Sequence, residues 1–537
     1  MEVFDTVIIG AGSAGCVLAG RLAEDKRKNI LLLEAGGPDR SPWLHLPVGY
    51  GKTFYHRGVN WMFETEPEAG LNHRVIYWPR GKVIGGSGAI NAMVYARGLP
   101  NDFDDWVAAG AEGWGWDKVE HIFQAMETQI KPNGQKTGDG PMTVQDVSDQ
   151  IHPANRHFFK AADELGIPQQ DNYNQSPFAG ASIYRINTHG GRRNASSRAF
   201  LKPALRRGNI TLRTHALVDR LHFHDGRAKA VSYFWRGKEH KVTANVEIIL
   251  AAGAVASPLI LERSGIGDSK RLSQHGIPTV VDNPNVGAHL QDHIGVNYYF
   301  KATEPTLNNI LHHWPGRIKA AIQYALTRRG PLALSVNQCG GYFRSNPSLM
   351  WPDQQLYFNP VTYTTTPSGT RSIVNTDPFP GFIIGFNQSR PTSRGHIHIR
   401  SNDAADQPLI SPRYLTTNED CQSVIAGGRL CRDFTMTNSL KTLIDTPFVS
   451  DINSMSDEDI LEDFRQRSGT VFHPVGTCRM GRDAKTAVVD SKLRVFGIEG
   501  LRVADASVFP NITSANTNAP TMMVAWRAVD LIREERA

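Results

Sequence analysis

Three glycines and one carboxylate near the start of the chain have the types and spacing to bind a dinucleotide. Gly10, Gly12 and Gly15 form a G-x-G-x-x-G turn, and Glu34 follows the last glycine by 19 positions. In such a turn the glycines allow a tight bend, close approach of a pyrophosphate and close packing of a helix on a strand. Glu34 can accept a hydrogen bond from a ribose hydroxyl. The pattern predicts a dinucleotide site, and a glycine turn without a ligand is the alternative.

The residues around this turn have the patterns of a strand, a helix and a second strand. Residues 4–9 indicate a short buried strand, residues 16–22 have helical apolar spacing, and residues 29–33 indicate a strand that ends at Glu34. A helix that begins at the turn directs unpaired N–H groups and the positive end of its dipole at the phosphates. The turn, the helix and the acidic residue therefore form a βαβ dinucleotide-binding unit.

A second glycine-rich loop covers residues 81–91, with the sequence G-K-V-I-G-G-S-G-A-I-N. Its small residues let the backbone come close to a flat ring or a phosphate. The alternative is a glycine-rich surface turn that binds nothing.

Later strands indicate a fold assembled from distant parts of the chain. Residues 246–253 have the pattern of a buried strand that ends in glycine, and residues 500–505 that of a strand that ends in an acid. We therefore expect an α/β protein with a discontinuous Rossmann-like domain. Residues 395–400 alternate with period two, which is typical of an antiparallel strand in a second domain. His396 and His398 share one face of it, and we favour plain strand histidines over a metal pair because no third ligand is identifiable.

The segment 311–330 has the pattern of a basic amphipathic helix. Ile318, Ile322 and Ala325 lie on one stripe, and basic residues lie elsewhere on the helix. Such a helix can contact a membrane surface. A helix packed on its own domain, with its charged face solvated, is the favoured interpretation.

The bulk properties of the chain exclude several classes of protein. At 537 residues the chain is too long for one simple core, so two packed domains are expected. No apolar run is long enough to span a membrane, and no leader precedes the first strand, so a cytoplasmic location is expected.

Five scattered cysteines indicate free thiols rather than a disulfide framework or a zinc site. The net charge of +6 comes from interleaved basic and acidic residues, so no nucleic-acid partner is expected.

Several separate blocks, taken together, resemble the glucose–methanol–choline (GMC) family of FAD oxidoreductases, and its choline dehydrogenase-like alcohol dehydrogenases in particular. The blocks lie in family order: the N-terminal turn ending in E-A-G-G (34–37), the loop 81–91, G-A with S-P and S-G-I-G (253–267), H-P-V-G-T-C-R-M-G (473–481), D-A-S (505–507) and N-T-N-A-P-T (516–521). The resemblance implies an FAD-binding domain of residues 1–155, 206–298 and 467–537, and a substrate domain of residues 156–205 and 299–466.

The resemblance also implies which residues contact FAD. They are Gly10, Gly12, Ser13, Ala14, Gly15, Glu34, Ala35, Val83, Gly86, Ser87, Asn91, Ala92, Met93, Val94, Val218, Asp505, Ala506, Asn516, Thr517, Pro520 and Thr521. Members with covalent flavin carry a histidine just before the asparagine of the second loop, where this chain has Ile90, so FAD is expected to be held non-covalently. Pro520 suits the first turn of a helix whose N-terminus points at the flavin pyrimidine ring.

The implied chemistry is oxidation of an alcohol, with no metal. His473 matches the catalytic base of the family, and Asn516 matches the second catalytic position, where it would orient the substrate oxygen. His473 would accept the hydroxyl proton while hydride passes from the carbinol carbon to flavin N5. Val471 and Phe472 precede the base and suit a primary alcohol with an uncharged or aromatic body.

Other functions remain open on the sequence alone. An NAD-dependent dehydrogenase would share only the first 37 residues, whereas a hydroxynitrile-type lyase or an FAD-bound interaction protein would share the later blocks as well. Within the family, a dehydrogenase is favoured over an oxygen-using oxidase. The electron acceptor (a quinone, a dye or oxygen) is not specified by the sequence.

Overall fold

The computed structural model describes residues 2–365 and 371–536. The helices are α1 (Ser13–Leu22), α2 (Pro42–His45), α3 (Tyr50–Thr53), α4 (Pro100–Ala108), α5 (Trp116–Met126), α6 (Asn155–Glu164), α7 (Lys202–Leu205), α8 (Gly253–Arg263), α9 (Ser269–Gln274), α10 (Leu307–Leu311), α11 (Trp314–Thr327), α12 (Asn418–Met436), α13 (Asn438–Leu443), α14 (Asp457–Arg467) and α15 (Asn518–Glu534).

The strands are β1 (Glu2–Ile9), β2 (Ile30–Glu34), β3 (Phe63–Glu64), β4 (Tyr77–Trp78), β5 (Glu127–Ile130), β6 (Lys136–Thr137), β7 (Met142–Gln145), β8 (Gln169–Gln170), β9 (Gly180–Ile183), β10 (Thr188–His189), β11 (Arg192–Arg193), β12 (Ile210–Thr214), β13 (Ala216–His224), β14 (Arg227–Trp235), β15 (Lys238–Leu250), β16 (Ile266–Gly267), β17 (Val281–Asp282), β18 (Ile294–Ala302), β19 (Cys339–Phe343), β20 (Gln354–Asn359), β21 (Tyr363–Thr365), β22 (Arg371–Thr376), β23 (Gly381–Gln388), β24 (His396–His398), β25 (Leu409–Ser411), β26 (Ile444–Pro447), β27 (Gly469–Thr470) and β28 (Leu501–Val503).

The first large sheet carries the glycine turn. Its strand order is β12-β2-β1-β15-β14-β13, and β28 also pairs with β15. Strands β12, β2, β1, β15 and β28 run parallel, whereas β13, β14 and β15 form an antiparallel meander. All five residues of β2 are buried, as expected for a strand covered on both faces. Helix α1 buries eight of its ten residues and packs against α15.

The second large sheet has the order β26-β18-β23-β20-β19-β9-β8, and β27 also pairs with β18. Its central strands β18, β23, β20 and β19 are antiparallel. Helices α6, α12 and α14 lie against it and share an apolar core that includes Phe386, Phe434 and Phe464. The mixed architecture confirms the predicted α/β class with an antiparallel second sheet.

Alternation along the second sheet directs its polar side chains away from that core. In β20, Leu356 and Phe358 are buried in the core, whereas Gln355, Tyr357 and Asn359 line a large cavity. The pleat of a strand requires this division, because successive side chains point to opposite faces. The second sheet therefore contributes amides and an aromatic ring to the cavity.

The predicted elements agree with the structure in type and differ at some ends. His215 has a left-handed backbone (φ 55°) that separates β12 from β13. The strand predicted at 395–400 is limited to His396–His398, whose rings lie on one face with centroids 5.0 Å apart. The domain boundaries predicted above stay a prediction.

The helix predicted at 311–330 divides into α10 and α11. The expectation that its stripe packs on the protein is wrong, because Ile318 and Ile322 are exposed. Within residues 2–365 and 371–536, no helix is long and apolar enough to cross a membrane.

Candidate active site

A cavity of about 770 Å³ is lined by both large sheets and by the loops that follow β1, β2 and β15. Ile9 and Leu33 come from the carboxyl ends of parallel strands, and Asn297 and Gln355 come from the second sheet. Ligands bind at the carboxyl ends of strands in doubly wound α/β folds. The cavity therefore lies where the glycine fingerprint predicts a dinucleotide.

The glycines of the turn are required by close backbone contacts. A Cβ on Gly10 would lie 2.4 Å from the Ala251 carbonyl oxygen, and one on Gly15 would lie 1.8 Å from the Gly10 carbonyl oxygen. By contrast, the nearest protein atom to a Cβ on Gly12 is the Cα of Gly86 at 3.8 Å. Gly10 and Gly15 thus serve packing, whereas Gly12 leaves open space at the cavity wall for a ligand.

Glu34 lies at the end of β2 and is buried. Its two carboxylate oxygens accept hydrogen bonds from the backbone N–H of Ala11 (2.8 Å) and of Gly36 (2.7 Å). Burial raises the pKa of Glu34 to about 7 against the lowering effect of these two hydrogen bonds. Each oxygen keeps a second lone pair, so the carboxyl group can also accept from a ribose hydroxyl.

Two helices present their N-termini to the same cavity. Neither α1 nor α15 has a side-chain cap at its N-terminus, and Ser13 and Asn518 from their first turns line the cavity. The hydroxyl of Ser13 donates to the Asn518 side chain at 2.6 Å, which joins the two helix ends. Their unpaired N–H groups and positive dipole ends suit an anionic ligand.

Most of the predicted cofactor residues line this cavity. They are Gly10, Gly12, Ser13, Ala14, Glu34, Ala35, Gly86, Ser87, Asn91, Ala92, Met93, Val94, Val218, Asp505, Ala506, Asn516, Thr517 and Thr521. Gly15, Val83 and Pro520 are not among the described residues that line it. Gly15 packs on the turn, the Val83 side chain packs with Leu44 and Ile90, and Pro520 is buried in the first turn of α15.

The two predicted catalytic residues meet at one point of the cavity wall. Nε2 of His473 lies 3.1 Å from the side-chain nitrogen of Asn516, although the residues are 43 positions apart. The Asn516 side-chain oxygen faces the Gln355 amide nitrogen at 3.5 Å, which orients the amide with its N–H toward His473. The asparagine therefore donates and Nε2 accepts.

A second histidine determines the tautomer of the first. Nδ1 of His473 and Nδ1 of His293 are 2.9 Å apart, so one of them carries the single shared proton. Nε2 of His293 lies 2.8 Å from the Ser389 carbonyl oxygen, which can only accept, so His293 is protonated there and its Nδ1 is a lone-pair acceptor. The shared proton therefore belongs to Nδ1 of His473, and Nε2 of His473 is unprotonated.

The electrostatic surroundings keep this imidazole neutral. Burial lowers the pKa of His473 well below the ordinary 6.5, and the neighbouring His293 and Arg80 lower it further. Burial lowers the pKa of His293 as well, to about 4. At neutral pH both rings are uncharged, which is the state that the tautomer assignment requires.

The backbone before His473 is held in an uncommon conformation. Phe472 has φ 71°, a left-handed value that is costly for an aromatic residue. Arg80 donates to its carbonyl oxygen at 2.7 Å, and the hydroxyl of Thr470 accepts from its N–H at 2.8 Å. The carboxylate of Asp292 accepts from the N–H of His473 at 2.7 Å and from the hydroxyls of Tyr414 and Thr470. These bonds fix where the imidazole points.

Reasoning from the sequence missed the groups that support His473. Asp292 and His293 lie 181 and 180 positions before His473, immediately before β18, and Gln355 lies in β20. One signal was present in the sequence, since an acid and a histidine are adjacent just before a strongly apolar strand. Nothing in the sequence indicates that these residues contact His473. The contact arises because β18 and the residue before Asp292 pair with the segment 469–475.

Comparisons with known proteins agree with this geometry. The family model described as GMC oxidoreductase matches residues 4–295 in its N-terminal part and 391–525 in its C-terminal part. The chain is 37% identical over 535 residues to the alcohol dehydrogenase (acceptor) of Pseudomonas putida, covering 99% of this chain and 96% of that protein. It is 36% identical over 545 residues to the oxygen-dependent choline dehydrogenase of Escherichia coli O17:K52:H18, with 99% and 96% covered.

Solved structures have the same fold. Pyridoxine 4-oxidase from Mesorbium loti superposes with a TM-score of 0.86 and 29% identity over 99% of both chains. Formate oxidase superposes with a TM-score of 0.92 and 26% identity, covering 99% of this chain and 98% of that one.

A dinucleotide-type cavity with a neutral imidazole at its wall is typical of dinucleotide-dependent oxidoreductases. The chain belongs to the GMC oxidoreductase family, and it is an FAD-dependent enzyme that oxidises an alcohol. The residues fit FAD, since Gly12 leaves room beside two uncapped helix N-termini and Glu34 is available to a ribose. The NAD-dependent alternative is excluded by the family, and the comparisons give no support to the lyase alternative.

The contrast between two glycines gives a test of the cofactor site. Gly12→Ala is expected to leave the melting temperature of the apoprotein unchanged and to lower FAD affinity at least about 10-fold, because its methyl enters the ligand space. Gly15→Ala is expected to destabilise the fold itself, since its methyl meets the Gly10 carbonyl. Thermal unfolding and FAD titration of both variants check this. Equal FAD affinity in Gly12→Ala and the wild type would argue against the site.

Proposed function

We propose that His473 is the general base of the alcohol oxidation and that its Nε2 accepts the hydroxyl proton. The observation that carries this proposal is the 2.9 Å contact between the Nδ1 atoms of His473 and His293. Because that contact uses the only proton of His473, Nε2 is unprotonated, and its lone pair accepts from the Asn516 amide until an alcohol hydroxyl takes that place. The lowered pKa of His473 maintains this form at neutral pH.

The proposed mechanism divides the work between the cofactor and two side chains. When bound, FAD supplies the acceptor for the hydride that leaves the carbinol carbon. Asn516 donates a hydrogen bond to the alcohol oxygen and holds it beside Nε2 of His473. The proton then moves to Nε2 over one hydrogen bond, and the charge that forms on His473 is shared with Nδ1 of His293.

The predicted cofactor contacts remain part of this proposal. Their position along one cavity supports them, since the first turn of α15 and Glu34 both line it. Non-covalent attachment is supported by Ile90, which has no nucleophilic atom and packs with Val83 and Ala89.

We propose a neutral primary alcohol with an apolar body as the substrate class. Of the described residues that line the cavity, three are acidic: Glu34, Asp406 and Asp505. Glu34 accepts from the glycine turn, and Asp505 accepts from Gly253 and Ser257 at the start of α8. Asp406 is exposed and accepts from Ser401. None of these three carboxylates hydrogen-bonds His473 or Asn516.

The residues that line the catalytic end of the cavity are cationic and aromatic instead, whereas the carboxylate of Asp292, which bonds the N–H of His473, is buried and does not line it. Arg80 supports the loop of His473, and the rings of Phe54 and Phe472 lie 5.3 Å apart at the wall. A buried guanidinium disfavours a second cation nearby, whereas the rings can pack on apolar groups and on quaternary ammonium groups alike. The guanidinium of Arg80 therefore supports an uncharged alcohol over a quaternary ammonium alcohol such as choline.

We also propose that the enzyme is a dehydrogenase and that its electron acceptor is a quinone or a dye. We propose the cytoplasm as its location. The similarity to the P. putida alcohol dehydrogenase (acceptor) supports the acceptor class, whereas the likeness to two oxidases supports oxygen as the second candidate. The five cysteines are all unpaired, as is typical of a reducing compartment.

A panel of alcohols tests the proposed substrate and acceptor together. With the FAD-loaded enzyme, we expect kcat/KM for aliphatic and aryl primary alcohols to exceed that for choline by at least about 10-fold. Dye reduction is expected to exceed oxygen consumption. Choline as the best substrate would overturn the substrate class, and faster turnover with oxygen would overturn the acceptor class.

A further inference from the structure

Helix α11 lies on the protein with almost none of its surface covered. Of its 14 residues, Ala320 alone is buried, and Tyr324 donates to the Gly191 carbonyl oxygen at 2.9 Å. Four large apolar side chains on this helix face solvent: Trp314 (72% exposed), Ile318 (49%), Ile322 (55%) and Leu326 (81%). Their spacing of four residues aligns them along one side of the helix, which we call the α11 apolar face.

The α11 apolar face points directly away from the protein and has a cation on each flank. At about 100° per residue, the four side chains cover an arc of roughly 120°, and Ala320 lies on the opposite side. Arg317 lies beyond one edge of this arc and Lys319 beyond the other. Both are exposed, and among the described residues neither forms an ion pair with a carboxylate.

The segment that contains α11 carries basic residues and no acidic ones. From Pro305 to Pro352 the sequence contains no aspartate or glutamate, whereas it contains five basic residues: Arg317, Lys319, Arg328, Arg329 and Arg344. Arg329 pairs with Asp149, so the cations on α11 itself and Arg328 remain uncompensated among the described ion pairs. This differs from the chain as a whole, in which basic and acidic residues are interleaved.

We propose that the α11 apolar face is a docking surface for the headgroup region of a membrane that contains anionic lipid. Apolar residues with tryptophan on one face and cations on the flanks are the features that bind a helix in the plane of a bilayer surface. Each basic residue near an anionic surface adds electrostatic attraction to the binding. A second copy of this chain is a poorer occupant, because two such faces would bring Arg317 and Lys319 of both copies to one seam.

The position of α11 connects this surface to the cavity. Helix α10, which precedes α11 directly, packs Leu307, Ile310 and Leu311 against Tyr50 and Val336. Tyr50 and Val336 line the cavity. A docked bilayer would therefore lie next to elements that pack on the cavity wall.

Sedimentation with vesicles tests the docking surface without using activity. The FAD-loaded wild type is expected to sediment with phosphatidylcholine vesicles that contain phosphatidylglycerol, and to bind vesicles of phosphatidylcholine alone at least about 10-fold more weakly. The double variant Ile318→Ser/Ile322→Ser is expected to lose binding to both. Arg317→Gln/Lys319→Gln is expected to lose only the preference for anionic lipid.

Matched controls separate this surface from general stickiness. Val280→Ser/Val449→Ser removes two equally exposed aliphatic side chains elsewhere and is expected to bind like the wild type. Dye-linked turnover should be unchanged in all variants, since none of these residues lines the cavity. No sedimentation of the wild type, or equal sedimentation of Ile318→Ser/Ile322→Ser, overturns the proposal. If light scattering shows that the wild type is a dimer and that Ile318→Ser/Ile322→Ser is a monomer, the membrane proposal is overturned. The α11 apolar face would then bind a second copy of this chain.

Discussion

Replacing His473 with alanine is expected to slow alcohol-dependent bleaching of the enzyme-bound FAD by about 10²-fold or more. The physical reason is that the proposed proton acceptor, the unprotonated Nε2 of His473 beside Asn516, is lost. Stopped-flow absorbance under anaerobic conditions measures this step directly. It isolates alcohol oxidation from the later reaction with the electron acceptor.

The FAD content of His473→Ala is the essential control. It should equal that of the wild type, because the glycine turn and the N-termini of α1 and α15 are untouched. Asn516→Ala is expected to slow the same step less than His473→Ala, since its amide orients the alcohol and takes no proton. Wild-type bleaching rates in His473→Ala would remove this residue from the mechanism.

Replacing His293 with leucine is expected to lower kcat/KM by about 10-fold to 10²-fold, although His293 is fully buried behind His473. Leucine cannot accept from Nδ1 of His473, so the imidazole loses the contact that keeps Nε2 unprotonated. His293→Gln can still donate to the Ser389 carbonyl oxygen and accept from His473. It should therefore retain more activity than His293→Leu.

Two measurements distinguish this positioning role from a general loss of structure. His157→Ala removes another buried histidine, which bonds Ser439 and Glu304 away from the cavity, and it should leave kcat/KM unchanged. The melting temperatures of His293→Leu and His293→Gln should be lowered similarly while their activities differ. Equal activities in these two variants would show that the tautomer is set by something else.

The parts of the fold that are encoded locally could be predicted from the sequence. The strand, turn and helix around Gly10 are specified by adjacent residues, because only glycine fits the contacts at Gly10 and Gly15. The parallel strands at 246–250 and 501–503 were identified by their apolar runs. The break between β12 and β13 at His215 could not be predicted, since a left-handed histidine has no sequence signature comparable to glycine.

The candidate site was predictable only as far as the resemblance reached. It supplied His473 and Asn516, which the structure brings within 3.1 Å. Residue patterns could not supply His293 or Asp292, because their contacts with the loop of His473 arise from tertiary packing between distant segments. For α11 the apolar stripe was predictable but its exposure was not, because periodicity shows which residues share a face and not what covers that face.

The most direct test of this account is the protonation state of His473 in the FAD-loaded enzyme. Nitrogen-15 NMR of selectively labelled histidine, with the signals of His473 assigned by their loss in His473→Ala, reports each ring nitrogen separately. The account predicts a protonated Nδ1 and an unprotonated Nε2 from neutral pH down to at least pH 6.5, because burial holds the pKa of His473 well below that value. A protonated Nε2, or a doubly protonated ring at neutral pH, would contradict it.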